Sequence, residues 1–176
     1  ALEHVGHDAL VTSDPELLVS APGLVFPGQG SSPSSMARLR ETGMAEAIQD
    51  AIKRGLPFFG ICLGFQLLLD WSEEGDTECL GVLPGRVRHL PSGVKVPHMG
   101  WNKVHLMTDH PVFNDIPQDS LFYFAHTYYA DPDADDSILG TTEYGGKFCS
   151  VIAKNNLVAT QFHPEKSGPL GLRLYD

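Results

Sequence analysis

Pro57-Phe58-Phe59-Gly60-Ile61-Cys62-Leu63-Gly64-Phe65-Gln66 joins two apolar runs through a cysteine with a glycine two positions to either side. The run before Cys62, bounded by Gly55 and Pro57, predicts a buried strand. The run Phe65-Gln66-Leu67-Leu68-Leu69-Asp70-Trp71 predicts a mostly buried helix. Cys62 then occupies the turn between them, in the pattern of a nucleophile elbow with cysteine where the better-known version carries serine. The glycines allow the sharp turn to pack closely against its neighbours. The sulfur falls at the carboxyl end of a strand and the amino end of a helix, where the dipole and free N–H groups favour a thiolate. Read alone, the same cysteine is also compatible with a small core hydrophobe.

About a hundred residues downstream stands Gln161-Phe162-His163-Pro164-Glu165-Lys166-Ser167. A cysteine nucleophile needs a base, and the base needs an orienting group. His163 and Glu165 lie two apart and project to one side of an extended segment. Pro164 biases His163 toward that extended backbone. Joined to the elbow, the pair favours a Cys62–His163–Glu165 triad over a core cysteine.

The remaining composition narrows the class. A chain of 176 residues, 42% hydrophobic and 19% charged, predicts one folded domain with a sizeable core. The formal net charge of −10, with no basic stripe, argues against a nucleic-acid partner. No apolar run approaches the roughly 20 residues of a membrane helix. Cys62, Cys79 and Cys149 make neither an even disulfide framework nor a C-x-x-C metal pair, a usage that fits a reducing cytoplasm. Cys79 and Cys149 read as structural. His4 and His7 have no third ligand nearby, which argues against metal there.

In chain order, Ala1-Leu2-Glu3-His4-Val5-Gly6 reads as a helix end with Gly6 as left-handed terminator. His7 to Thr12 reads as a short strand, and Asp14-Pro15 as the cap and first turn of a new helix. Gly23-Leu24-Val25-Phe26 predicts a buried strand opening into Pro27-Gly28-Gln29-Gly30-Ser31-Ser32. That turn lacks the full G-x-G-x-x-G spacing and a following Gly-Lys-Ser/Thr, so a phosphate cradle has little support and a flexible loop is the plain reading. Met44, Ile48 and Ile52 recur at helical spacing, with Ala47 and Ala51 between them. Strand, helix and elbow strand make a right-handed parallel βαβ unit. Sites in such sheets gather beyond the carboxyl ends of the strands, where both Gly28 and Cys62 fall. Glu73-Glu74-Gly75-Asp76 reads as a solvated acidic turn. From Val87 on, β-branched and aromatic residues broken by turn signals predict several short strands. Phe148–Lys154, Asn155-Asn156 and Leu157–Gln161 predict a hairpin that delivers His163. The predicted architecture is a single α/β domain over residues 1–176, with a central, mostly parallel sheet flanked by helices plus an antiparallel extension.

Gly60-Ile61-Cys62-Leu63-Gly64, taken with Phe162-His163-Pro164-Glu165, resembles the class I, triad-type glutamine amidotransferases. Three further stretches resemble the branch that serves as glutaminase subunit of imidazole glycerol phosphate synthase: Pro97-His98-Met99-Gly100-Trp101-Asn102, Tyr123-Phe124-Ala125-His126-Thr127-Tyr128-Tyr129 and His163-Pro164-Glu165-Lys166-Ser167. The resemblance covers essentially the whole chain, in the right order. It implies hydrolysis of L-glutamine to glutamate and ammonia through a cysteinyl thioester, with Cys62 as nucleophile, His163 as general base and Glu165 as its orienting group. It implies an oxyanion strand at Gly28 and Gln29 working with the Leu63 N–H, and glutamine binding by Gln66 and the backbone around Thr127 and Tyr128. No cofactor or metal is implied. The implied partner is a (β/α)8-barrel cyclase subunit in a heterodimer of histidine biosynthesis, met by His98, Met99, Gly100, Trp101, Asn102 and Lys166.

Some positions depart from the family pattern, which usually has valine at position 29 and serine at position 127. Members usually begin with a further strand and a Gly-Asn turn ahead of the helix that Ala1 joins midway, and continue the final helix past residues 168–174. The expectation is therefore that this numbering starts inside a longer chain and stops short of the last helix's end. Two other functions stay open. An amidotransferase of another synthase, making anthranilate, guanylate or a pyridoxal precursor, is disfavoured by the Met-Gly-Trp-Asn and Lys-Ser stretches. A non-catalytic binding or regulatory subunit is disfavoured by the intact Cys62, His163 and Glu165.

Overall fold

Apolar runs at residues 58–62 and 157–160 are covered on both faces, and they form the middle of the molecule. The computed structural model describes residues 1–133 and 135–175. Along these residues the strands are β1 (Leu24–Gly28), β2 (Phe58–Cys62), β3 (Trp71–Ser72), β4 (Thr77–Glu78), β5 (Gly85–His89) and β6 (His98–Lys103). They continue as β7 (His105–Leu106), β8 (Leu121–His126), β9 (Tyr128–Pro132), β10 (Ile138–Glu143), β11 (Lys147–Lys154) and β12 (Leu157–Thr160). The α-helices are α1 (Ser32–Glu41), α2 (Met44–Lys53), α3 (Leu63–Gln66) and α4 (Gly168–Leu172).

Among the described residues, a six-stranded sheet runs in the order β1-β2-β12-β11-β10-β7. β1, β2 and β12 are parallel, whereas β11, β10 and β7 extend the sheet antiparallel. Both the parallel core and the antiparallel extension expected from the sequence are present, and the extension makes the larger share of the pairings. Two smaller sheets, β4-β3-β5-β9 and β6-β8, stand beside it. Alternation along β2 splits the core. Phe58 joins one buried cluster with Leu63, Leu68 and Ile152, while Phe59 packs on the other, around Phe124, Val151 and Phe162. The Asn155-Asn156 turn closes the β11–β12 hairpin with Asn155 left-handed at φ 54°, a conformation asparagine tolerates.

Three local expectations are corrected. The helix predicted over 65–71 stops at Gln66. Its continuation is buried, but the carbonyls of Leu67, Leu68 and Leu69 accept the N–H groups of residues 80–83 instead of continuing a helix. Trp71 then enters β3. Residues 7–12 carry no regular element; Val11 is 98% exposed and β1 is the sheet's edge, so this run has neither a ladder nor an apolar surface to hold it. Residues 32–41, which hydrophobic periodicity does not mark as helical, form α1. Pro33 is tolerated in its first turn, and the Ser32 N–H donates to Glu74 Oε2 at 2.6 Å across 42 residues. Glu74 of the acidic turn therefore works as a remote cap rather than as plain solvated surface.

The elbow is held by contacts that exclude a Cβ. A methyl on Gly64 would lie 1.9 Å from the Phe26 carbonyl oxygen, and one on Gly28 would lie 2.7 Å from both Leu63 Cβ and the Gly64 nitrogen. Gly64→Ala is expected to destabilise the fold by about 2–4 kcal/mol in urea unfolding, because β1 must move away from α3. Gly6→Ala, with open space around its Cβ, should cost only the left-handed backbone penalty of about 1–2 kcal/mol. Equal losses at the two positions would refute the close-approach account.

Candidate active site

Cys62 is the last residue of β2 and the cap of α3, with φ 54° and ψ −109°. This positive φ is costly for a residue with a side chain, and here the Gly28–Gly64 contact holds it. The parallel register sets Gly28 opposite Cys62, so the glycine-rich end of β1 and the sulfur share one end of the sheet. α3 is a single turn, and its short stack of peptide dipoles gives the sulfur less support than the longer predicted helix would. The stronger electrostatic partner is a side chain.

That partner is His163. β12 pairs in parallel with β2 up to Thr160 opposite Ile61, and the chain then carries His163 to the same end. Its backbone is extended, φ −100° and ψ 98°, with Pro164 starting a 3-10 turn. The His163 N–H donates to the Tyr123 carbonyl at 2.8 Å, the Ser167 hydroxyl donates to the His163 carbonyl at 2.6 Å, and the Tyr123 N–H donates back to Ser167 Oγ at 2.9 Å. These bonds staple the segment to β8. The ring is buried, with Nδ1 2.8 Å from Glu165 Oε1, and the Cys62 thiol is near enough to act on its pKa. Burial alone would lower the imidazole pKa, but the interactions with Cys62 and Glu165 and their negative charge raise it from 6.5 to about 9. Burial acts to raise the Glu165 pKa, and the His163 bond, its own backbone N–H and Lys166 outweigh it and hold the carboxyl below its usual value. Thiol, imidazole and carboxylate thus stand in one electrostatically coupled row, with the imidazole–carboxylate hydrogen bond at its outer end.

Behind the sulfur is a buried amide to which the sequence patterns assign no role. The Gln161 Nε2 group donates to Cys62 Sγ at 3.7 Å, and its Oε1 accepts from Gln66 Nε2 at 3.1 Å. Gln66 Nε2 also donates to the Tyr128 carbonyl at 2.7 Å. The available signal was a polar amide inside an otherwise apolar strand end leading to the histidine. Thr127 lies beside this row, its carbonyl accepting the Leu90 N–H at 3.0 Å.

The chain matches the family model for class-I glutamine amidotransferases over residues 5–173. It belongs to that family. Among relatives, the imidazole glycerol phosphate synthase subunit HisH of Dehalococcoides mccartyi strain CBDB1 is 49% identical, over 99% of this chain and 86% of the relative. HisH of Neisseria meningitidis serogroup B is 47% identical over 95% and 82%, and HisH of Moorella thermoacetica 46% over 99% and 83%. A solved glutamine amidotransferase superposes with TM-score 0.76 at 20% identity, covering 99% of this chain and 87% of the other. A glutamine amidotransferase of Thermotoga maritima gives 0.67 at 21%, over 96% and 65%. These two likenesses concern the fold.

Other residues marked in the sequence of this amidotransferase are spread around the row. Gln29 is exposed beyond Gly28. Met99 and Trp101, 65% and 55% exposed, stand on the outer face of β6, with Trp101 edge-on to Tyr123 at 6.1 Å. Gly100 and Asn102 are half-buried, and Lys166 is exposed on the turn after His163. His98 points inward and is buried, so its side chain does not share the surface of Met99 and Trp101. Cys79 and Cys149 are buried thiols; desolvation raises both pKa values, that of Cys79 to about 11, in keeping with structural roles.

The raised imidazole has a pH signature. A histidine whose folded pKa lies above 6.5 contributes stability fully below that value, and loses it as pH rises through about 9. An NMR titration of His163 should show a midpoint near 9, and Cys62→Ala or Glu165→Gln should each move it down. A midpoint near 6.5 in the unmodified protein would refute the ion-paired row.

Proposed function

We propose that this amidotransferase is the glutaminase subunit of an imidazole glycerol phosphate synthase, acting in histidine biosynthesis in the cytoplasm. The observation that carries the reading is the Cys62–His163–Glu165 row at the sheet's carboxyl end. Near-full-length similarity to HisH subunits specifies the branch. In this reading Cys62, as thiolate, attacks the carboxamide carbon of L-glutamine, and the carbonyl electron pair moves to oxygen. The N–H of Leu63 and those of the Gly28–Gln29 region stabilise the resulting oxyanion. His163, as imidazolium, protonates the amine nitrogen; the C–N bond breaks, ammonia leaves and a thioester remains. The neutral imidazole then takes a proton from water as it attacks the thioester. Glutamate leaves, and the proton on His163 keeps the thiolate paired for the next cycle. Glu165 orients the ring throughout. Gln66, Thr127 and Tyr128 hold the glutamine head group.

Ammonia is useful only if it reaches an acceptor before escaping. The proposed acceptor lies in a (β/α)8-barrel cyclase subunit, which completes imidazole glycerol phosphate and an aminoimidazole carboxamide ribotide. Exposed Met99 and Trp101 and the cation Lys166 suit the docking face, with Gly100 and Asn102 in the same strand and His98 behind it.

Glutamate release from glutamine tests the reading, with and without the cyclase and its nucleotide ligand. Low activity alone, a rise of at least about 10²-fold with partner and ligand, and a loss of about 10⁴-fold or more in Cys62→Ala are expected. Strong partner-independent turnover would assign the chain to another synthase, and no turnover under any condition would favour a non-catalytic subunit.

A further inference from the structure

Between β6 and the glutamine pocket lie two buried histidines that the chemistry above does not use. His98 Nδ1 is 2.9 Å from His126 Nε2, and His126 Nδ1 is 2.9 Å from the Tyr128 carbonyl oxygen. On the outer side, the Asn102 amide nitrogen is 3.2 Å from His98 Nε2. The His98 ring is stacked on Phe124 and Tyr144, at centroid distances of 4.8 and 3.9 Å, which fixes its plane.

The direction of every proton in this row follows from its two ends. A carbonyl can only accept, so His126 Nδ1 carries hydrogen. At the other end, Asn102 Oδ1 accepts the Lys103 N–H at 2.8 Å, and its Nδ2 also donates to the Glu143 carbonyl at 3.0 Å. The Asn102 amide therefore turns its NH2 toward His98 and donates, so His98 Nε2 is bare and Nδ1 carries the proton. That proton points at His126 Nε2, which is bare because Nδ1 is protonated. Two neutral Nδ1–H imidazoles satisfy all contacts; a third proton would set two donors face to face. Desolvation, which lowers His98 to about 4 and His126 to about 3, agrees.

The inner end matters because the Tyr128 carbonyl is shared. It accepts from His126 Nδ1 and from Gln66 Nε2, and Gln66 bonds Gln161, which bonds Cys62. We propose that His98 and His126 are positioning residues, a one-directional hydrogen-bond line from Asn102 that fixes the Tyr128 carbonyl and with it the Gln66 amide of the glutamine pocket. His98 acts by locking the tautomer of His126; without its Nδ1–H, the His126 proton is free to move to Nε2, and the bond to Tyr128 is lost. This rests on the glutaminase reading for its effect on substrate. The tautomers stand independently of it.

Nitrogen-15 NMR of the unmodified protein at neutral pH should show both rings neutral and protonated at Nδ1. Either ring charged, or protonated at Nε2, would overturn the line whether or not glutamine is turned over. In glutamate-release assays with the cyclase present, His126→Phe and His98→Phe should each raise KM roughly tenfold, as for loss of one positioning hydrogen bond, with kcat within about threefold. Both should shift the Gln66 side-chain amide resonances. His126→Asn, which keeps a donor near the Nδ1 position, should stay within about threefold of the unmodified KM. Unchanged KM and Gln66 resonances in His126→Phe, or equal effects of Asn and Phe, would reduce the pair to packing. If the Phe variants do not fold, the tautomers and His126→Asn still decide: a tenfold KM rise there refutes the proposal. An unmodified protein without turnover would refute the glutaminase reading alone.

Discussion

The parallel pairing of β1, β2 and β12 is the constraint on which the site depends. Its register sets Gly28 opposite Cys62 and Thr160 opposite Ile61, so three chain segments as far apart in sequence as Gly28 and Thr160 end on one side of the sheet. Parallel strands have all their carboxyl ends on one side, and loops leaving that side can be brought together without strain in the strands themselves. The strain is concentrated in one residue. Cys62 takes a positive φ because Gly64 lies against the Phe26 carbonyl, where no side chain fits, and because the elbow must turn within a single peptide.

Electrostatics at the sulfur then come from side chains more than from secondary structure. With α3 reduced to one turn, the charge partner of Cys62 is the His163 ring, and Glu165 and the Tyr123–Ser167 bonds hold that ring from behind. Each of these bonds joins the His163–Ser167 segment to itself or to β8. The position of the His163 ring therefore depends on the small β6–β8 sheet as well as on the central one, and this is also the sheet that exposes Met99 and Trp101. The exposed strand β6 and the strand β8 that holds His163 are neighbours, paired residue for residue, with Trp101 opposite Tyr123.

Polar groups around the sulfur are paired with one another, whereas the buried hydroxyls of Thr142 and Ser150 in the antiparallel extension make no hydrogen bond among the described residues. Gln66 and Gln161 are both buried, and a buried amide costs stability unless its donors and acceptors are met. They meet each other, the sulfur and the Tyr128 carbonyl. The two histidines extend that row outward to Asn102, so one network reaches from a surface strand to the Cys62 sulfur.

Much of this was legible along the chain. The glycine pair around Cys62, the His163–Glu165 spacing, the Asn-Asn hairpin and the strand at 24–28 are local patterns, and local patterns are what periodicity and turn chemistry encode. By itself the sequence determined the α/β class and marked Cys62, His163 and Glu165 as one cluster at the carboxyl end of the sheet. The tertiary structure decided the rest. α3 ends at Gln66 because residues 80–83 take the following carbonyls, α1 gains a remote cap from Glu74, residues 7–12 have no strand to pair with, and Gln161 and His126 acquire partners from other elements. Apart from residues 7–12, which lack such a partner, each of these is a backbone group or buried polar atom satisfied by a residue distant in sequence, and no spacing along the chain records which distant group will be there.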